Sequence, residues 1–458
     1  GATVSTNNIP DTTINTFNKE LNYWDNVTTN LNLQHTFKPG SVLSVDLNYI
    51  YYKDYNPNTY SNSYYNNAGG LLYHEDLRSD KVTPINFRVF SSDYVTLIGK
   101  NITLETGAKI SLSSFTNNAG VSKLVQNNWV PNDNLSAKYL LKEDISAAYT
   151  SMNIHLNDKL SVKAGLRYEY TYSNLGTTQT ANIVNKQYGQ LFPTLYISQK
   201  LDESNNINLS YSRRITRPAF TDLAPFTIFF DPKTFFTGNP ALQPAIANSF
   251  QASYGIDNYA FSLTYTQEHN TIESYYFQTQ KIDTINNILY LSANNFKKEQ
   301  YMVASFSLPF VISNWWSMQN NINLNWRKIN TMLNSNTVNY NIFDYRINST
   351  QRFKLLDDFS FEATGFYASS SYFGTTKFKP LYQLDLGLQK KFKNKKDVLR
   401  LAANDIFNSG SNYRFTDDLT IKGTTVRRNS NFGLVAYKLT YTHNFGNKSL
   451  KEKRERTT

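Results

Sequence analysis

Ser161-Val162-Lys163-Ala164-Gly165-Leu166-Arg167-Tyr168-Glu169-Tyr170-Thr171-Tyr172 is the stretch whose reading decides the fold. Side chains alternate across a β-strand with a period of two. Val162, Ala164, Leu166, Tyr168, Tyr170 and Tyr172 therefore share one face, and Lys163, Arg167 and Glu169 share the other. A strand divided in this way separates an apolar medium from water. The pattern recurs along nearly the whole chain in segments of about 9 to 15 residues, roughly every 25 residues, as expected of strands that cross a bilayer obliquely. Leu43, Val45, Leu47, Tyr49 and Tyr51 alternate with Ser44, Asp46, Asn48 and Ile50, and Tyr259, Phe261, Leu263 and Tyr265 alternate with Ser262, Thr264, Thr266 and Glu268. The repeated unit is a membrane-spanning β-hairpin.

Composition narrows the class. The 458 residues include 33 Tyr and 30 Phe but no Cys, and mean hydropathy is -0.50. A chain that is polar on average yet rich in aromatics suits strands of which one face alone meets lipid. No run approaches 18 consecutive apolar residues, which excludes spanning helices. A soluble β-solenoid or propeller shares the polarity, but its strands are shorter and its repeats more alike. Without Cys there is no disulfide framework and no thiolate metal site, so stability falls to hydrogen bonds between strands. The formal net charge of +11 is spread over strands and loops with no basic platform for nucleic acid. Outer-membrane lipid and lipopolysaccharide are the simpler anionic partners. The run Lys448, Lys451, Lys453, Arg454 and Arg456, with Glu452 and Glu455 among them, reads as a solvated tail.

Short turns alternate with long polar stretches, the sidedness of an outer-membrane barrel with tight periplasmic turns. The short set is Lys38-Pro39-Gly40, Gly99-Lys100-Asn101, Asn157-Asp158-Lys159, Asp202-Glu203-Ser204-Asn205, Asp257-Asn258, Leu356-Asp357-Asp358 and Asn394-Lys395-Lys396. The long set, expected outside the cell, is 55–82, 117–138, 175–186, 215–244, 270–287, 332–340 and 405–431. This reading gives about 17 crossings, with Leu71 to Val95 either one strand or a hairpin. The expected organisation is an N-terminal lead-in over 1–20, a transmembrane β-barrel with extracellular loops over 21–446 and a basic periplasmic tail over 447–458. A barrel of 16 or more strands encloses an aqueous lumen or holds a plug. Lys163, Arg167, Glu169, Asn208, Ser210, Ser212, Arg214, Gln383 and Asp385 are its expected lining. Aromatics near segment ends, such as Tyr49, Tyr51, Tyr168 and Tyr170, suit a girdle at the headgroups. Tyr64 and Tyr65 are read as loop aromatics.

The segment 209–254 carries an ordered series: Tyr211, Arg213, Arg217-Pro218, Leu223 and Pro225, then Gly238-Asn239-Pro240, Leu242 and Pro244, then Phe250 and Tyr254 on the return strand. It resembles the TonB-dependent outer-membrane receptors, with one departure: Ala245 stands where an acidic residue is common. The rest of the barrel resembles the family's Bacteroidota branch. Tyr437, Leu439, Tyr441, His443 and Phe445 are similar to the C-terminal signal by which outer-membrane barrels are recognised for insertion; an ordinary amphipathic edge strand has the same pattern. A barrel of that family has about 22 strands and an N-terminal plug, and neither a plug nor its partner-binding box is recognised here. The chain is therefore expected to be the barrel portion, truncated at the N-terminus. The resemblance implies active uptake of a scarce nutrient, such as a siderophore or glycan. Energy would come from the TonB complex through the missing plug, and a surface lipoprotein is a further expected partner. A plug-less passive pore, or a structural or secretion-associated barrel, is the alternative.

No enzyme constellation stands out. His35, His74, His155, His269 and His443 are scattered, Glu268-His269 is an adjacent acid–histidine pair that suits a solvated strand end, and no phosphate-cradling loop is present. No cofactor is expected. Asn-x-Ser/Thr triplets at Asn26, Asn101, Asn134, Asn208 and Asn348 follow from an Asn-rich composition. Candidate ligand contacts are Arg213, Arg214, Phe229, Phe230, Phe235 and Phe236, although Arg213, Arg214 and Arg217 are expected to pair first with carboxylates such as Asp222 and Asp231.

Overall fold

The computed structural model describes residues 2–6, 9–133, 136–225, 227–231, 234–277, 289–333, 336–373, 376–393, 396–409, 413–417, 426–430 and 435–445. In chain order the elements begin with β1 (Ala2–Thr6), β2 (Ile9–Glu20), β3 (Tyr23–Lys38), β4 (Ser41–Asn66), β5 (Leu71–Ile98) and β6 (Ile102–Val125). There follow β7 (Asn128–Pro131), β8 (Ala137–Asn157), β9 (Leu160–Thr177), β10 (Val184–Lys200), β11 (Asn205–Thr216), the one-turn helix α1 (Phe220–Leu223), β12 (Thr227–Asp231) and β13 (Thr234–Thr237). Then come β14 (Ala245–Ile256), β15 (Tyr259–Phe277), β16 (Leu289–Ser313), β17 (Trp316–Leu333), β18 (Asn336–Leu356) and β19 (Phe359–Ala368). The last are β20 (Ser371–Phe373), β21 (Thr376–Phe378), β22 (Leu381–Lys391), β23 (Asp397–Asn404), β24 (Tyr413–Asp417), β25 (Val426–Ser430) and β26 (Ala436–His443). The chain divides into two compact units. One comprises Gly1–Ala252, Thr264–Tyr301 and Lys328–Tyr340; the other comprises Ser253–Leu263, Met302–Arg327 and Asn341–Thr458.

In the first unit, neighbouring long strands pair antiparallel in an unbroken series: β4 with β5, β5 with β6, β6 with β8, β8 with β9, β9 with β10 and β10 with β11. β2 and β3 are one crossing. Thr12 faces Asn66, and Tyr23 faces Tyr55 in the same register. The interruption at Leu21–Asn22 lies opposite Pro57, which has no N–H for the ladder; Leu21 N still reaches Pro57 O at 3.2 Å, and Asn56 Nδ2 donates to Leu21 O at 3.0 Å. Residues 9–20, expected as a lead-in, are therefore wall strand. In the second unit the series runs β18, β19, β22, β23 and β26, beside a separate four-stranded sheet of β20, β21, β24 and β25.

Counting β2 with β3, 17 described strands have eight or more residues, and Leu71 to Val95 lies within the single strand β5. Two expectations need correction. The stretch 55–82 is not a loop: β4 and β5 continue as a paired hairpin to a turn at Asn67–Gly70. Its polar side chains hold one another across the strands, as when Tyr64 stacks on Tyr73 at 4.1 Å and Lys123 pairs with Glu75 at 2.5 Å. At roughly 3.3 Å per residue, a 26-residue strand is about 85 Å long against a hydrocarbon layer of about 30 Å, so most of the hairpin stands in water. The second correction concerns Asn314-Trp315, a tight turn absent from the expected set, and a connection over 369–380 that was likewise not read. Asn394 and Lys395 lie outside the described residues, as do 278–287 of the stretch 270–287 and 410–412, 418–425 and 431 of the stretch 405–431.

Burial is inverted, as a lipid-facing wall requires. Leu166, Tyr168 and Tyr170 are 47%, 47% and 42% exposed, whereas Thr171 on the opposite face is fully buried. Near the short turns of the second unit Trp316 stacks on Phe353 and Phe353 on Phe361, both at 5.8 Å, with Trp316 Nε1 donating to Gln351 at 2.9 Å. This is the girdle arrangement, apolar ring toward lipid and polar atom satisfied.

Candidate functional site

The polar face of the first unit contains one apolar row. Phe115, Leu141, Leu175 and Val184 are direct cross-strand neighbours on β6, β8, β9 and β10. Along β9 the same face reads Lys163, Arg167, Glu169, Thr171, Ser173 and then Leu175, so the polarity changes at one position. That change marks where something docks.

What docks is the long connection after β11. Leu223 and Ala224 at the end of α1, together with Leu242, cluster with Tyr139, Leu141, Leu175, Val184 and Ala293. Phe220 stacks on Phe115 with planes 7° apart. Burying each such side chain is worth about 1.5–3 kcal/mol, enough to hold a loop of this length as a packed plate. The backbone is closed by specific groups. Gly238 N donates to Ala224 O at 3.1 Å and Asn239 N to Asp222 O at 2.6 Å. A Cβ on Gly238 would lie 2.2 Å from that same Ala224 oxygen, so the contact requires glycine. Asn239 Nδ2 reaches Ala293 O on β16 at 3.1 Å, and its Oδ1 accepts from Ala241 N at 3.0 Å across Pro240. Asn295 clamps Gln243 in both directions, at 2.7 and 2.9 Å, just before Pro244. β13 adds to β16 as a parallel strand, Lys186 Nζ donates to Leu242 O, and Tyr139 Oη donates to Pro225 O at 3.2 Å.

Arg217 ties the start of the plate to the wall. Its Nη2 lies 2.6 Å from Glu169 Oε2 and 2.8 Å from Thr171 Oγ1, while Arg167 Nε holds the other Glu169 oxygen at 2.6 Å. The expected pairing of Arg217 with Asp222 is corrected here. Asp222 is spent on α1, accepting from Ala219 N at 3.1 Å, while Arg217 is held by Glu169 and Thr171 of the wall strand.

The sequence motif therefore builds the plate. Arg217, Pro218, Gly238, Asn239, Pro240, Leu242 and Pro244 all lie in it, and Ala245 at its end is buried. Of the candidate ligand contacts, Phe235 is buried in β13, Phe236 is half-buried, and Arg213 donates to Gln190 at 3.4 Å. Arg214 is exposed. Phe229 and Phe230 lie on β12, Phe229 opposite Phe235; their side chains are outside the described set. Tyr437, Leu439 and Tyr441 alternate on one exposed face of β26, in register with Ala403, Leu401 and Leu399, and Phe445 is 90% exposed. Glu169, Thr171, Ala293 and Asn295 were not singled out as plate partners from sequence. The apolar Leu175 in a polar register was the available signal.

Three solved structures share the strand fold. The ferric-catecholate import receptor Fiu from K12 E. coli is 12% identical, covering 88% of this chain and 64% of its own with a TM-score of 0.55. The ferric yersiniabactin uptake receptor FyuA from Yersinia pestis is 12% identical, covering 88% and 61%, with a TM-score of 0.54. The copper transporter OprC is 9% identical, covering 84% and 66%, with a TM-score of 0.53. The chain thus spans under two thirds of the length of each. A comparison with curated protein sequences finds no match. The sequence model of the outer membrane protein beta-barrel family matches residues 35–441. The chain is a bacterial outer-membrane protein and belongs to that family.

Proposed function

We propose that the chain forms the wall and external loops of an active-transport receptor that brings a scarce nutrient, such as a metal chelate or glycan, across the outer membrane of a Bacteroidota bacterium. Energy would come from the TonB complex through a plug supplied outside residues 1–458. The observation that carries this reading is the plate. Its connection is folded back onto the polar face and fixed there by Arg217, Gly238, Asn239 and Leu242, so it covers surface that an open water-filled pore leaves free. The fold shared with Fiu, FyuA and OprC supports the same assignment, and a surface lipoprotein is compatible with the long external hairpins. Uptake of a labelled ferric catecholate by cells that make the protein, with and without a proton uncoupler, tests it. Loss of uptake on uncoupling is expected. Uptake indifferent to the uncoupler, together with steady conductance of the purified chain in planar bilayers, would establish the passive pore instead.

A further inference from the structure

At the short-turn end of the second unit, strand register sorts β18, β19, β22 and β23 into two faces. Phe353, Phe361, Leu388 and Leu401 are successive cross-strand neighbours, and Phe353 and Phe361 belong to the stacked girdle. The alternate positions therefore face away from lipid. They form two adjoining rows: Arg352, Glu362 and Gly387, and, one step nearer the turns, Lys354, Ser360, Gln389 and Arg400. These rows line a hollow of about 590 Å³ beside the Asn314-Trp315 turn, a volume usual for binding sites. Its lining includes residues of β17, β18, β19, β22 and β23, a breadth of about 19 Å for strands about 4.8 Å apart.

Two guanidiniums share one carboxylate there. Arg352 Nε donates to Glu362 Oε2 at 2.9 Å, and Arg400 Nη2 lies 3.5 Å from Glu362 Oε1. Glu362 is the only acid of the lining among the described residues, so the group keeps a net positive charge. Arg352 and Arg400 are exposed, and no hydrogen bond among the described residues engages their remaining N–H groups. Lys354 is drawn to Asp357 on the turn at 3.1 Å. Lys391 and Lys438, exposed on the same face, have no ion-pair partner among the described residues. Asp385, the nearest acid along β22 on this face, is already engaged by Gln383 Nε2 at 2.9 Å and Asp405 N at 2.8 Å. Gly387 leaves the floor open: a Cβ there would stand 3.6 Å from Arg400 Nη2 and 3.9 Å from Glu362 Cβ, which is ordinary contact.

We propose that the hollow seats an extended acidic segment of a polypeptide partner, with carboxylates of that segment on Arg352 and Arg400. A guanidinium holds a carboxylate through two parallel N–H groups, and clustered arginines are a recurrent means of reading acidic peptide motifs. One exposed ion pair is weak. Two arginines flanked by Lys391 and Lys438 favour a chain that carries several carboxylates over a single small anion. The breadth of the hollow matches about six residues of extended chain, and Ser360 and Gln389, whose side chains make no hydrogen bond among the described residues, suit its backbone. The girdle and its lipid lie on the opposite face. This rests on the import reading and names the chemistry of its partner: the plug presents an acidic edge to this end of the wall.

The test is binding of hexaglutamate, hexaglutamine and inorganic phosphate to the purified full chain in detergent, by calorimetry over a salt series. Arg352→Gln/Arg400→Gln is compared with Lys100→Gln/Lys200→Gln, an equal loss of charge at short turns of the first unit, and all variants are checked for heat-modifiable gel mobility. The expected result is hexaglutamate binding that weakens roughly tenfold in the arginine variant and by less than about twofold in the control, with hexaglutamine unbound throughout. Gly387→Leu keeps every charge but fills the floor, and it should weaken hexaglutamate binding as well; it replaces the arginine variant if that one misfolds. Equal losses in the arginine variant and the control, binding unchanged in the arginine variant or in Gly387→Leu, or phosphate bound as tightly as hexaglutamate would overturn the proposal. The measurement uses no energy source, so failure of energised import leaves its outcome unchanged.

Discussion

Arg217 Nη2 and Glu169 Oε2 lie 2.6 Å apart, joining a loop to a wall strand 48 positions away, and both groups are largely withdrawn from water, at 17% and 12% side-chain exposure. The bond fixes where the plate begins, and the predictions about the plate start from it.

Arg217→Ala leaves Glu169 with Arg167 as its remaining cation. Loss of a charge-assisted hydrogen bond of this kind costs about 2 kcal/mol. The expected outcome is earlier proteolytic cleavage within 218–244, with strand content by circular dichroism unchanged. Arg217→Lys should recover only part of the protection, because one ammonium cannot hold Glu169 and Thr171 as the guanidinium does.

Gly238→Ala forces a methyl against the Ala224 carbonyl. A clash with backbone cannot be relieved by a rotamer change, and overpacking typically costs about 1–3 kcal/mol. The same protease assay should show the plate released. Gly120→Ala is the matched control, since nothing lies within 4 Å of the added atom, and it should behave as the parent.

Leu242→Ala removes a fully buried side chain from the plate side of the apolar row, and Leu175→Ala does so from the wall side. Each should weaken docking by about 2–5 kcal/mol. Because the two residues belong to one cluster, their effects on denaturant-dependent cleavage should be less than additive. Strict additivity would mean that the row and the plate are not energetically coupled.

At the short turn after β10, the Asn205 side chain, and then the Ser204 backbone N–H, hold the Asp202 carboxyl below the usual carboxylate range. A depressed folded pKa contributes stability that is fully present above the ordinary value and lost as pH falls through the folded value. Asn205→Ala should move the Asp202 titration upward toward the ordinary range. Carbon NMR of aspartate-labelled protein in nanodiscs reads this directly, and an unmoved titration would contradict the assignment.

Particular residues show how far the sequence could be read. The turn at Lys38-Pro39-Gly40 was legible because Gly40 adopts a φ of 79°, which glycine accepts without strain. Asn314-Trp315 was not, because a tryptophan pair carries girdle chemistry that masks a turn. Residues 55–82 were polar enough to pass for a loop, yet polar pairs across two strands in water serve as well as apolar ones in lipid. The motif from Arg217 to Pro244 was visible. Its partners Glu169, Leu175, Ala293 and Asn295 were not, since a contact between distant strands leaves little local pattern beyond an apolar residue out of place.

Site-directed spin labelling along 163–170, in lipid vesicles, measures the division between lipid and water most directly. The account predicts a period of two: labels at Leu166, Tyr168 and Tyr170 collide with dissolved oxygen and are shielded from a water-soluble nickel chelate, while labels at Lys163, Arg167 and Glu169 show the reverse or are shielded from both. Accessibility without that alternation, or nickel contact on both faces, would contradict it.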